Sequence, residues 1–141
     1  MKLWLAAALT AFTGPVFAQV SLTQPDRPQT DVDTGLGAVL RGLDRVNGET
    51  REVDLANGAG AELFGLLVTL QECRYPINNP TGDAYAFLRV QDAESGADFF
   101  EGWMIASAPA LNALDHNRYD VWVLRCNTPA AEATDEPENS E

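Results

Sequence analysis

Apolar and polar positions alternate with a period of two over much of this chain, and that period predicts strands. Ala38–Val46 and Glu49–Leu55 flank Asn47-Gly48, and Asn-Gly between such runs predicts a hairpin closed by a two-residue turn. That turn sets Leu40 opposite Leu55 and Gly42 opposite Val53. It also sets Asp44 against Arg51 and Arg41 against Asp54, so apolar meets apolar and each charge meets its opposite. Ala61–Cys73 reads as one long strand, with Phe64, Leu66, Val68 and Leu70 on one face and Leu63, Gly65, Leu67 and Cys73 on the other. Apolar residues on both faces predict cover on both sides. Ala84–Gln91, Asp98–Ala106 and Tyr119–Cys126 complete the strands. In Asp98–Ala106 the alternation places Phe99, Trp103 and Ile105 on one side and Phe100 and Met104 on the other. In Tyr119–Cys126 it aligns Trp122, Leu124 and Cys126 toward the core.

The period changes at Ser107–His116. Ser107 as a cap, Pro109 in a first turn and the spacing of Ala110, Leu111 and Leu114 predict a short helix ending near Asn117. Asn57–Gly60, Tyr75–Asp83 and Glu94–Ala97 carry the Gly, Pro, Asn and Asp of connecting turns. The expected fold is all-β: a small single-domain barrel or sandwich of about six strands with one short helix, over residues 37–126.

The flanks differ in character. Met1-Lys2, the apolar run Leu3–Thr13, the breaker Gly14-Pro15 and the small residues of Val16-Phe17-Ala18 predict a signal peptide over residues 1–18, cut between Ala18 and Gln19. The apolar run is too short to serve as a membrane anchor, and no later stretch is long enough to span a bilayer, so no insertion of the mature chain is expected. Residues 19–36 hold Pro25, Pro28 and scattered polar residues, which predicts a flexible leader; an arm that orders on a partner is the alternative. Residues 127–141 read as a disordered acidic tail.

The chain has 141 residues, nine Lys+Arg and 21 Asp+Glu, for a formal net charge of −12. One domain fits that length. Such a charge repels nucleic acid phosphates and anionic headgroups, and it excludes both as natural partners. Export places the two cysteines, Cys73 and Cys126, in an oxidising compartment that would pair them, closing a loop worth roughly 4 kcal/mol in the chain-entropy account. A redox-active thiol pair is the competing reading, but the C-x-x-C spacing is missing.

Chemistry is sparse. His116 is the sole histidine, and with Ser107 and Asp120 it makes a Ser-His-Asp trio on paper, although G-x-S-x-G is absent. One histidine and two paired cysteines do not build a zinc site, and Asp92, Glu94 and Asp98 lack the length of a calcium loop. Glycine loops that cradle phosphates are also missing. No catalytic group, metal or cofactor is therefore assigned. Binding remains, since aromatic residues and arginine favour interfaces as well as cores. The candidate surface comprises Trp103, Ser107, Pro109, Leu111, Asn112, His116, Arg118 and Tyr119. The alternatives are a small-ligand or glycan-binding module that uses Trp103 with the Tyr75–Asp83 loop, and a hydrolase built on the trio.

The run Gly102-Trp103-Met104, Ala106-Ser107, Pro109–Leu114, His116 and Tyr119–Trp122 resembles the signature of the family called domain of unknown function 2155. Leu40–Asp44, Phe64-Gly65-x-Leu67, Cys73 and Cys126 also fit it. The resemblance covers about Ala38–Cys126. Departures are Ile105, Ala108, Asp115 and Asn117-Arg118, which bear on the turn after His116. The resemblance implies a small exported alphaproteobacterial protein with no established activity, a periplasmic location and a Cys73–Cys126 pairing. It also implies genes near one for an accessory subunit of respiratory complex I. An accessory role on the periplasmic face of a respiratory membrane complex follows as an expectation.

Overall fold

A computed structural model describes residues 31–129. The expected signal peptide and its cleavage point, most of the leader and nearly all of the tail lie outside the described residues. Eight strands form in order: β1 Val32–Thr34, β2 Gly37–Asp44, β3 Thr50–Ala56, β4 Gly60–Leu63, β5 Leu66–Pro76, β6 Tyr85–Asp92, β7 Asp98–Ile105 and β8 Tyr119–Asn127. They make two antiparallel sheets, β1-β5-β6-β7 with β4 also beside β5, and β3-β2-β8. The sheets stack face to face without closing into a barrel, so the fold is a sandwich. Among the described residues no helix is long and apolar enough to cross a membrane.

The core lies between the sheets. The smaller sheet supplies Ala38, Leu40, Leu55, Val121 and Val123, and the larger supplies Leu66, Val68, Leu70, Ala86, Leu88, Val90 and Met104, all at most 5% exposed. Cys73 of β5 and Cys126 of β8 are joined, which ties one sheet to the other through a disulfide over a sequence separation of 53.

The structure departs from the sequence expectations at five places. The first hairpin pairs Ala38 with Leu55, Leu40 with Val53 and Gly42 with Arg51, two residues away from the expected register. Its turn is four residues long: the Asp44 N–H donates to the Glu49 carbonyl at 2.8 Å, and Gly48 closes the turn at φ +75°. A shift of two keeps every side chain on its expected face, but it repairs the charges, with Arg41 now on Glu52 and Asp44 released for another partner. The long strand expected over Ala61–Cys73 is broken into β4 and β5 by a tight turn at Phe64-Gly65. Both turn residues have positive φ, +54° and +84°, as a primed two-residue hairpin requires.

In β8, Val121 and Val123 face the core while Trp122 and Leu124 are half-buried on the outside, the reverse of the expectation for the latter pair. A bulge opposite Val39/Leu40 then resets the alternation, and Cys126 turns inward. The expected helix is only a 3-10 turn at Pro109–Asn112. Leu114 is buried but Leu111 is 77% exposed, so no apolar stripe is covered that would hold a longer helix together. Finally, β1 lies inside the stretch expected to be leader, where Val32–Thr34 pair with Arg74–Pro76 of β5.

Candidate interaction surface

Strand β6 alternates from Tyr85 to Val90, and β7 pairs with it in step from Phe100 to Ile105, after a bulge at Phe99. Ala86, Leu88, Val90 and Met104 point into the core, which leaves Tyr85 and Phe87 of β6 and Trp103 and Ile105 of β7 on the outer face of the larger sheet. The register sets Tyr85 opposite Ile105 and Phe87 opposite Trp103. The Phe87 and Trp103 rings meet edge to face, with centroids 5.3 Å apart and planes at 81°. On the neighbouring strand Arg74 lies opposite Tyr85 and holds its guanidinium 5.0 Å from the Trp103 ring centroid. Glu72 tethers that guanidinium at 2.7 Å. Val32 of β1, 39% exposed, completes an open apolar hollow of about 310 Å³ with Arg74, Tyr85, Trp103 and Ile105. The other end of the same face is charged, where Arg89 forks onto both Asp98 oxygens at 2.9 and 3.0 Å.

The loop after β7 stands against the free edge of this sheet. Asn112 donates its side-chain amide to the Trp103 carbonyl at 2.8 Å, and the Ala108 N–H donates to the Ile105 carbonyl at 3.1 Å, so edge carbonyls are capped without a further strand. Pro109 borders an apolar hollow against Trp122, and Leu111 projects outward. Ser107 caps no helix. Its hydroxyl donates to Asp83 at 2.7 Å, fixing the end of the Pro80–Asp83 loop.

A third group gathers at the end of the sandwich that carries the β2–β3, β4–β5 and β6–β7 turns. His116 Nδ1 accepts the N–H groups of Arg118 (3.2 Å) and Tyr119 (2.9 Å), and its carbonyl accepts from Arg45. The rings of Phe64, Tyr119 and His116 stack in series, 5.8 and 5.1 Å apart, and Phe99 meets His116 edge-on at 4.8 Å. Arg118 grips Asp44, whose side chain is 4% exposed. The hydrogen bond from Arg118 holds the Asp44 carboxyl below the usual range, against the opposing effect of burial. Ser95 does the same for Asp92, and Arg89 for Asp98.

The sequence-derived candidates therefore fall into separate places. Trp103 and Asn112 come together at the sheet edge, Ser107 joins Asp83, and His116, Arg118 and Tyr119 cluster at the turn end. No hydrogen bond joins Ser107, His116 and Asp120 among the described residues, because each is engaged with a different partner. The Tyr75–Asp83 loop does not line the hollow beside Trp103. Among the described residues no group of three His, Cys, Asp or Glu is placed to hold a metal ion. Sequence reasoning missed Tyr85, Phe87 and Arg74. The signal was present for the aromatics, since Tyr85 and Phe87 alternate with Ala86 and Leu88, but nothing local said which parity faced inward.

The family described as an uncharacterized protein conserved in bacteria (DUF2155) matches this chain over residues 38–126. No curated protein and no solved structure matches it.

Proposed function

The chain belongs to the DUF2155 family of uncharacterized bacterial proteins, and from that premise we propose that it is a non-catalytic protein-binding domain working in the cell envelope. The observation that carries this reading is the outward row of Tyr85, Phe87, Trp103 and Ile105 with Arg74 stacked on Trp103. The core is complete without these side chains, because the opposite faces of the same strands already fill it. Tyr, Trp, Phe and Arg on a rigid sheet are the residue types that interface centres favour; the aromatics bring large contact area at low entropic cost, and Arg74 is already held by Glu72. The perpendicular Phe87 and Trp103 rings do not make the flat platform on which a sugar chain would stack.

The envelope location rests on the signal peptide expected over residues 1–18, with its short apolar run and small residues before Gln19, and on a disulfide that needs an oxidising compartment. A component of a respiratory membrane complex, such as complex I, is the specific partner suggested by the family resemblance, and the protein would act as its periplasmic accessory. The hollow of about 310 Å³ beside Trp103 favours one other reading, a small apolar ligand seated there.

Photo-cross-linking in the native host separates these. A benzophenone amino acid in place of Phe87 or Tyr85 is expected to capture one discrete protein, and the same group in place of Glu52 on β3 is expected to capture none. Equal labelling from both faces, or none from either, would remove the sheet face as a docking surface.

A further inference from the structure

We infer that the outer face of the larger sheet closes on a second copy of this chain, the two sheets crossing at near right angles about a two-fold axis. Such closure presupposes that this face is a docking surface, and it names one occupant for it. Strand pairing lays the outward side chains in rows. Arg74, Tyr85 and Ile105 stand side by side on β5, β6 and β7. Glu72, Phe87 and Trp103 form the next row, and in the third Arg89 stands opposite Glu101. The apolar side chains therefore hold the centre and one corner of the patch. The charges occupy its two far sides, along β5 and along the third row.

A two-fold contact requires a patch complementary to itself. Orthogonal packing is one of the two ways in which sheets stack. It turns the second copy about a diagonal of the patch, here the one through Ile105 and Phe87. Each of those residues then meets its own counterpart, and Tyr85 lies over the other copy's Trp103. The same turn sets Arg74 over Glu101 and Glu72 over Arg89, so every charge meets its opposite. Other two-fold arrangements fail. An axis along the middle row sets Ile105 over Glu101 and Tyr85 over Arg89, and an axis along β6 sets Trp103 over Glu72. The other diagonal sets Arg74 on Arg74 and Glu101 on Glu101. The four charged side chains are between 32% and 55% exposed, in surface pairs weak enough to exchange partners. Two cations and two carboxylates leave these rows neutral on a chain of formal net charge −12, so self-repulsion is least here. The patch is small, so the dimer is weak and the face stays open to exchange with another protein.

Sedimentation velocity of the purified protein, from about 1 µM to about 1 mM, tests this. The native chain is expected to pass from monomer to dimer within that range. Arg74→Glu and Glu101→Arg, each shown to fold by circular dichroism, should each weaken self-association about tenfold, because like charges then face each other twice. An equimolar mixture of the two variants should recover the native affinity, since each offers the charge that the other lacks. Strand β6 separates Arg74 from Glu101, so the two substitutions have no way to compensate within one chain. A native chain that stays monomeric throughout, single variants that dimerise as the native does, or a mixture no stronger than either variant alone would overturn the second copy as occupant. Each of these results is independent of whether the same face captures a different protein in the native host, which the cross-linking decides.

Discussion

Arg118 reaches back 74 residues to place two guanidinium nitrogens on the carboxylate of Asp44, with contacts of 2.7 to 3.2 Å. Asp44 is buried and Arg118 is half exposed, so the pair fastens the loop before β8 to the first hairpin at the rim of the core. The same aspartate accepts the Val46 N–H at 2.9 Å and thereby shapes the four-residue turn. One carboxylate thus links the register of β2–β3 to the position of His116, Tyr119 and the ring stack.

Acid stability should report this link. The folded-state pKa of Asp44 is depressed by Arg118, so its stabilising contribution is present above the unfolded value and is lost as pH falls through the folded one. Stability is expected to decline as pH drops below about 4. In Asp44→Asn the decline should be shallower and the neutral-pH stability lower. Asp92 and Asp98 are depressed as well, so some acid sensitivity should remain in the variant. Urea midpoints measured from pH 2 to pH 7 check this; superimposable profiles would exclude Asp44 as a contributor.

The disulfide should contribute by limiting the unfolded chain. A closed loop with a separation of 53 residues is worth about 4 kcal/mol in the chain-entropy account. Cys73→Ser is expected to lose most of that, as read by chemical denaturation under oxidising conditions. An unchanged midpoint would mean the sheets hold together without the cross-link.

Two neighbouring positions should separate core from surface. Leu88 is fully buried, and Leu88→Ala is expected to cost about 2–5 kcal/mol. Trp103 packs on the outer face against Phe87 and Arg74, so Trp103→Ala should cost only about 1 kcal/mol despite removing a larger side chain. A cost for Trp103→Ala as large as that of Leu88→Ala would show the outer row to be structural.

Gly65 closes the β4–β5 turn at φ +84° with open space where a side chain would begin. Gly65→Ala should therefore destabilise through backbone strain alone, by about 1–2 kcal/mol. Thermal unfolding of the variant measures it, and a neutral result would mean the turn relaxes to a different type.

The fold class, the first hairpin, the disulfide partners and the split of β7 into two faces were legible because each depends on a local period or on cysteine chemistry. The expected register failed because Asn47-Gly48 reads as a two-residue turn only if Asp44 has no use for its carboxylate, and Arg118 supplies that use from far along the chain. The β4–β5 turn was hidden because Phe64 is a poor turn former, and its ring is held by Tyr119 and Arg51, both distant in sequence. The inward turn of Cys126 depends on a bulge against Val39 and Leu40, which no pattern within β8 reveals. The candidate surface was half legible. Trp103 stood out by type, whereas Tyr85, Phe87 and Arg74 join it only through strand pairing.

The most direct test is affinity purification of the native protein and of a Phe87→Ser/Trp103→Ser variant from gently solubilised membranes, after the variant is shown to fold by circular dichroism. A protein-binding sheet face predicts stoichiometric recovery of one membrane component with the native chain and its loss with the variant. Equal recovery by both, or a native chain that elutes alone as a soluble monomer, would contradict that reading.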